Sequence, residues 1–173
     1  MPAIKQKEQR VGVFVDVQNM YHSAKNLYHA RTNFKAILDD AVAGRKLIRA
    51  IAYVIRTETG EEAAFFEALI KSGYETKIKD LQIFAGGMKK ADWDVGMAMD
   101  AVKLAASLDA VVLVTGDGDF VPLIEYLRHT RGMLVEVMAF GKSASGKLRE
   151  SADEFIDLGE DAKRFLIRTA KIR

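Results

Sequence analysis

The stretch AVVLVTGDGDF, residues 110–120, runs from an aliphatic segment directly into a turn that carries two carboxylates. Five consecutive apolar residues, rich in valine, are typical of a strand buried on both faces of a parallel sheet. Two interpretations of the turn are open. Asp117 and Asp119 are either a turn residue and a helix cap, or ligand-holding acids, since open α/β sheets bind ligands beyond the carboxyl ends of their strands.

The rest of the chain alternates short apolar segments with amphipathic ones. Strands are predicted at residues 11–15, 47–55, 110–114 and 134–139, with an extended segment at 74–84 and a short edge strand at 155–158. Helices are predicted at residues 19–29, 34–43 (capped by Asn33 and ended by Gly44), 61–72, 94–107, 120–129 and 161–170. This alternation predicts an α/β protein with a parallel sheet covered on both faces.

Composition narrows the class of protein. A length of 173 residues suggests a single domain, and a net charge of +2 gives no global sign of a nucleic-acid binder. The absence of cysteine excludes disulfides and thiolate metal sites. The polar N-terminus lacks a signal-peptide core, and no apolar run approaches the ~20 residues of a membrane span. We therefore expect a cytoplasmic protein that does not insert into membranes.

Two further acidic segments accompany Asp117 and Asp119. Asp16 directly follows the strand at 11–15, where an unpaired carboxylate is costly, and Asn19 lies three residues on. Asp92 and Asp94 precede the helix at 94–107, and Asp94 is a natural cap for it.

The acid further along that helix is harder to place. The helical spacing predicts a core face formed by Val95, Ala98, Met99, Val102 and Ala106. That choice puts Asp100 on the opposite side, among the apolar Met97 and Leu104. Asp100 either pairs with Lys103 or belongs to a site.

Carboxylates gathered at one sheet edge would repel one another and bind protons unless a cation is present. Hard dications such as Mg²⁺ and Mn²⁺ prefer oxygen ligands. A chain without cysteine and with three histidines does not favour zinc. The sequence therefore predicts Mg²⁺ or Mn²⁺ as the cofactor.

Three segments resemble a known family. FVDVQNMY (14–21), KKADWDVGMAMDA (89–101) and VTGDGDF (114–120) are similar, in order, to the motifs of NYN domains, in particular the LabA-like branch of the PIN-like nuclease superfamily. The resemblance covers roughly residues 10–158. It implies a PIN-like (Rossmann-like) three-layer α/β/α sandwich with a central, mainly parallel sheet, here of about five strands. It also implies an acidic pocket that binds Mg²⁺ or Mn²⁺ and hydrolyses RNA.

The resemblance assigns roles residue by residue. The candidate catalytic acids are Asp16, Asp94, Asp100, Asp117 and Asp119. Of these, Asp16, Asp94, Asp117 and Asp119 would hold the metal, while Asp100 would be a ligand or orient a ligand water. Asn19 and Thr115 would position water or phosphate. Lys89 and Lys90 either contact the RNA backbone or lie in a solvated loop.

The resulting hypothesis is a Mg²⁺- or Mn²⁺-dependent endoribonuclease. The alternative is a non-catalytic RNA- or protein-binding regulatory module that keeps the acidic pocket, since binding and chemistry use the same carboxylates. A phosphatase with an Asp-x-Asp nucleophile would need an acid at position 18, which is Gln18. The sequence leaves open whether the chain forms a homo-oligomer.

Three regions are expected along the chain. They are a polar N-terminal extension (residues 1–10), the NYN-like domain (11–158) and a basic C-terminal helix or tail (159–173). The last carries five basic and no acidic residues from position 162 onward and could reach a polyanion: Lys163, Arg164, Arg168, Lys171 and Arg173.

Overall fold

A computed structural model describes residues 2–87 and 89–168 of the chain, apart from the side chains of Lys89 and Lys90. The strands are β1 (Arg10–Asp16), β2 (Arg31–Thr32), β3 (Lys46–Arg56), β4 (Glu75–Asp80), β5 (Gln82–Ile83), β6 (Lys89–Lys90), β7 (Ala110–Val114), β8 (Leu134–Ala139), β9 (Glu154–Asp157) and β10 (Leu166–Ile167). The α-helices are α1 (Val17–Tyr28), α2 (Phe34–Val42), α3 (Ala63–Lys71), α4 (Asp94–Leu104), α5 (Val121–Glu125), α6 (Gly146–Ser151) and α7 (Ala162–Phe165).

Six strands form a central parallel sheet in the order β4-β3-β1-β7-β8-β9. The sequence predicted about five strands. The extended segment predicted at residues 74–84 and the short strand predicted at 155–158 provide the two edge strands of the sheet, β4 and β9. β1 and β7 are neighbours at its centre, with Val15 paired to Val114. The residues that follow these two strands therefore meet at one edge of the sheet.

Side chains that alternate along the strands divide the core into two clusters. Val13 and Val15 of β1 pack with α1 and α2 on one face, whereas Phe14 packs with α4 and α5 on the other. This arrangement confirms the three-layer α/β/α fold. Asn33 caps α2 as predicted, with its Oδ1 accepting from the Ala36 N–H at 3.1 Å.

The predicted core face of α4 is wrong. Val95 is 76% exposed and Met99 is 48% exposed, whereas Met97 and Ala101 are fully buried. The helix is apolar nearly all round, so its sequence did not specify which side packs on the sheet. In the structure, the side of α4 that packs on the sheet is the one that carries Met97, with Asp100 beside it.

The predicted closing helix at residues 161–170 is also wrong in extent. α7 ends at Phe165, and β10 then pairs antiparallel with β2. The buried side chains of Phe165 and Leu166 hold this segment against the domain, and the Asn33 N–H donates to the Phe165 carbonyl at 2.7 Å. Lys171 and Arg173 lie outside the described residues. No helix in the described ranges has the length and apolar character needed to cross a membrane.

Candidate metal centre

Three carboxylates from three elements converge beyond the carboxyl ends of β1 and β7. Asp16 ends β1, Asp117 follows β7, and Asp94 begins α4. One oxygen from each lies within 4.8 Å of the other two. Asp16 and Asp117 lie close together because β1 and β7 are neighbours in the sheet. Asp94 reaches them from the start of α4.

Asp16 is held by the first turn of α1. Its Oδ1 accepts from the Asn19 N–H at 3.2 Å, and its Oδ2 accepts from the Thr115 hydroxyl at 3.2 Å. Burial raises the pKa of Asp16 above its usual range, while these two hydrogen bonds act to lower it. Asp117 and Asp92, close by, raise the pKa further.

Thr115 and Asn19 connect the acids to the backbone. The buried Thr115 hydroxyl donates to Asp16 and accepts from the Asp117 N–H at 3.2 Å, so it links two of the three acids. The Gly116 N–H donates to Asn19 Oδ1 at 2.9 Å. Because only the amide oxygen can accept this bond, the orientation of the Asn19 amide is fixed, and its NH₂ group remains the donor side.

Asp94 carries the clearest electrostatic signature of the site. Burial, followed by the neighbouring Asp117, Asp16 and Asp92 carboxyls, raises the pKa of Asp94 to about 7. Acids this close repel one another when ionised, and a hard dication removes that repulsion. The three converging oxygens and the raised pKa values of Asp16 and Asp94 therefore fit Mg²⁺ or Mn²⁺.

The predicted cap roles at this edge are wrong for two aspartates. Asp117, not Asp119, closes the turn before α5, accepting from the Asp119 N–H at 2.9 Å. Asp119 is exposed, and α5 has no side-chain cap. At α4, Asp92 Oδ1 accepts from the Asp94 N–H at 3.2 Å, so Asp94 is free to face the other acids.

Asp100 lies apart from the three converging acids. Its Oδ2 accepts from the Tyr53 hydroxyl at 2.8 Å and from Lys77 Nζ at 2.6 Å. Burial acts to raise the pKa of Asp100, but the bonds from Lys77 and Tyr53 outweigh it and the pKa is lowered. Where the sequence left two alternatives for Asp100, a pairing with Lys103 or a place in the site, the structure shows a third: an ion pair with Lys77, 23 positions away on β4.

The acidic centre opens into a pocket of about 340 Å³ that sequence reasoning missed. Gln18, His22 and Asn26 of α1 and Ser143 of the loop after β8 line it together with Trp93. The signal available in the sequence was the four-residue spacing of Gln18, His22 and Asn26 on the helix that follows Asp16. A larger cavity of about 540 Å³ lies beside β9 and contains none of the three acids.

Lys89 and Lys90 form β6, which pairs with β5 in a hairpin shortly before Asp92. Their side chains lie outside the described part of the structure, so both alternatives for them, contact with RNA and solvation, stay predictions.

The motifs at the centre match a family over almost the whole described fold. A model of the NYN domain matches residues 10–159. The chain belongs to the NYN domain family. The resemblance inferred from the three motifs is thereby confirmed, and the family supplies a nuclease-like fold with an acidic cluster.

Two relatives of this NYN domain support the assignment. It is 27% identical to the low amplitude and bright protein LabA of Synechococcus elongatus, with 95% of this chain and 91% of LabA covered. It also resembles the crystal structure of a protein of unknown function from Vibrio parahaemolyticus, with a TM-score of 0.85 and 28% identity. That match covers 95% of this chain and all of the Vibrio protein.

Proposed function

We propose that this NYN domain is a metal-dependent endoribonuclease whose centre is formed by Asp16, Asp94 and Asp117. The observation that carries the proposal is the approach of the three carboxylate oxygens within 4.8 Å of one another. The family's nuclease-like fold and the donor chemistry of the site support it.

Each residue of the centre has its own role in the proposed reaction. Asp16, Asp94 and Asp117 would hold Mg²⁺ or Mn²⁺, which when bound supplies positive charge and acidifies water. The Asn19 NH₂ group donates a hydrogen bond to the scissile phosphate, and Thr115 keeps Asp16 and Asp117 in register. A water attacks phosphorus in line and the P–O3′ bond breaks. The attacking water releases a proton to solvent and the 3′ oxygen takes one up from solvent, which leaves a 5′-phosphate and a 3′-hydroxyl.

The remaining candidates have supporting roles in this proposal. Asp119, exposed beside Asp117, contributes through water rather than by direct contact. Asp100 holds α4 in place through Tyr53 and Lys77. Lys89 and Lys90 contact the RNA backbone close to the acids.

The test is cleavage of single-stranded and structured RNA by metal-stripped protein to which Mg²⁺, Mn²⁺ or Ca²⁺ is restored. We expect Mn²⁺-dependent cleavage that Asp16→Asn and Asp117→Asn reduce by about a hundredfold or more, because each removes a carboxylate charge that would hold the metal. Asp39→Asn makes the same charge change at an exposed position on α2 whose one ion pair among the described residues is with Lys35, and it should cleave like the wild type.

Equal cleavage by the wild type and both site variants would reveal a contaminating nuclease. RNA that is bound but remains intact with every metal would instead support a non-catalytic regulatory module.

A further inference from the structure

A polar groove leads away from the acidic centre along the exposed side of α1. Gln18, His22 and Asn26 line the same pocket as the three acids. Their four-residue spacing places them in one stripe on the helix, about 12 Å long at 1.5 Å per residue. All three residues are exposed, so the stripe is accessible to a ligand that also reaches the acids.

Ser143, in the loop after β8, also lines the groove and contacts the same helix. The Ser143 hydroxyl lies 3.0 Å from Ser23 Oγ of α1 and 3.3 Å from the Phe140 carbonyl. This contact joins the loop after β8 to α1. This part of the groove lining is therefore already in place in the free protein, which lowers the cost of ordering it around a ligand.

Charge is confined to one end of the groove. The charged residues that line it are Asp16, Asp92, Asp94 and Asp117 at the acidic end. Within the described residues, no lysine or arginine lines the pocket. A path for successive phosphates would need such cations, so the α1 end of the groove suits an uncharged part of a nucleic acid.

The α1 side chains have the chemistry that reads unpaired bases. Glutamine and asparagine amides and the histidine imidazole each offer both donors and acceptors. Unpaired RNA bases expose donor and acceptor edges of the same kind, whereas bases inside a duplex are stacked out of reach of such a pocket. A volume of about 340 Å³ lies near the lower end of the range for small-ligand pockets and suits one nucleoside.

We propose that this groove is a base-reading subsite that takes the unpaired nucleoside attached to the scissile phosphate, recognised by Gln18, His22 and Asn26. The inference rests on the proposed nuclease function only in placing that phosphate at the acids. It makes single-stranded RNA the substrate class and gives the cleavage a base preference next to the cut.

The single tryptophan of the chain provides a direct probe. Trp93 lines the groove, and its indole N–H donates to the Val54 carbonyl at 2.9 Å, so its ring is held in place. Trp93 fluorescence would be followed while Mg²⁺-loaded protein is titrated with each nucleoside 5′-monophosphate and with ribose 5-phosphate. We expect at least one nucleotide to bind about tenfold more tightly than ribose 5-phosphate, the value of one good base contact.

The variant that tests the assignment is the triple substitution Gln18→Ala, His22→Ala, Asn26→Ala. It should abolish the advantage of the nucleotide and leave the affinity for ribose 5-phosphate unchanged. Lys25→Ala is the matched control, because Lys25 is exposed on α1 but outside the groove. All three substituted side chains are exposed, so a melting curve like that of the wild type should accompany the loss.

The outcomes separate this inference from the nuclease proposal. Base-dependent binding without RNA cleavage keeps the subsite and refutes the nuclease. RNA cleavage at equal rates next to all four bases refutes the subsite and keeps the nuclease. The subsite is also refuted if ribose 5-phosphate binds as tightly as every nucleotide, if no nucleotide binds, or if the triple variant keeps the preference.

Discussion

At the scale of single residues, Asp94 should control how the stability of the metal-free protein depends on pH. Its pKa is raised to about 7 by burial and by the Asp117, Asp16 and Asp92 carboxyls, while an unfolded aspartate titrates near 3.9. A raised pKa means that the folded state prefers the protonated acid. The stabilisation is therefore complete below about pH 4 and is lost as the pH rises through 7.

We predict that Asp94→Asn, which cannot ionise, removes this part of the pH dependence. Thermal unfolding of metal-stripped protein between pH 5 and about pH 8.5 measures it. The melting temperature of the wild type should fall relative to that of Asp94→Asn as the pH rises, whereas Asp39→Asn should follow the wild type. Parallel curves for wild type and Asp94→Asn would contradict the proximity of the acids.

The roles of single residues follow from the sequence where the chemistry is local. Asp16 and Asp117 follow the aliphatic runs of β1 and β7, so their place at the sheet edge could be read directly from the sequence. The choice between Asp117 and Asp119 as the capping residue could not be read, because both lie within reach of the same turn.

At the scale of elements, α4 is tied to the sheet by a buried hydroxyl and a long-range ion pair. Tyr53 is 1% exposed, and its hydroxyl and Lys77 Nζ both donate to Asp100. The Tyr53 ring also packs against the ring of Trp93, with 5.3 Å between the ring centroids. Trp93 immediately precedes Asp94 in the chain. Tyr53 therefore connects Asp100, in the middle of α4, with the start of the helix, where Asp94 joins the acidic centre.

We predict that Tyr53→Phe lowers the free energy of unfolding by about 1–2 kcal/mol, because Asp100 loses a hydrogen bond to its charged form. Mn²⁺ affinity should fall as well, since α4 positions Asp94. Urea unfolding and Mn²⁺ titration measure the two effects. Lys77→Met should weaken both, whereas Lys103→Met, the partner suggested by sequence spacing, should change the unfolding free energy by less than about 0.5 kcal/mol. A larger effect of Lys103→Met would refute this arrangement.

Helices and strands, like single residues, could be predicted only where the interactions that decide them are local in the sequence. Asn33 and α2 were readable because a cap and its helix are adjacent in sequence. The orientation of α4 and the existence of β10 could not be predicted from the sequence. A helix that is apolar all round and a short basic segment both take their geometry from the elements they pack on.

At the scale of the whole molecule, a buried ion pair joins distant parts of the chain. Arg45, in the connection between α2 and β3, donates to both carboxylate oxygens of Glu136 on β8, at 2.7 and 3.1 Å. Both residues are almost fully buried, and Lys5 of the N-terminal segment lies 3.4 Å from the same carboxylate. The pair fixes β8 relative to the first half of the fold.

We predict that Arg45→Met lowers the free energy of unfolding by about 3–5 kcal/mol, because Glu136 is left as a buried charge without its main partner. Adding Glu136→Leu should restore much of the loss by removing that charge. Lys46→Met is the control, since Lys46 pairs with exposed Glu8 and such surface pairs contribute about 0–1 kcal/mol. Denaturant unfolding measures all three, and a double variant no better than Arg45→Met would argue against the buried charge as the cause.

The sequence by itself determined the layered α/β class, the central strands and the delivery of acids to one sheet edge. Each of these follows from residues close together in the chain: an aliphatic run, its end and the turn after it. Only the tertiary structure decided which acids meet. Asp94 joins Asp16 and Asp117, while Asp100 is taken by Lys77 and Tyr53, and Arg45 finds Glu136 across 91 residues. These partners depend on strand order and on the rotation of α4, both set by packing between segments far apart in sequence.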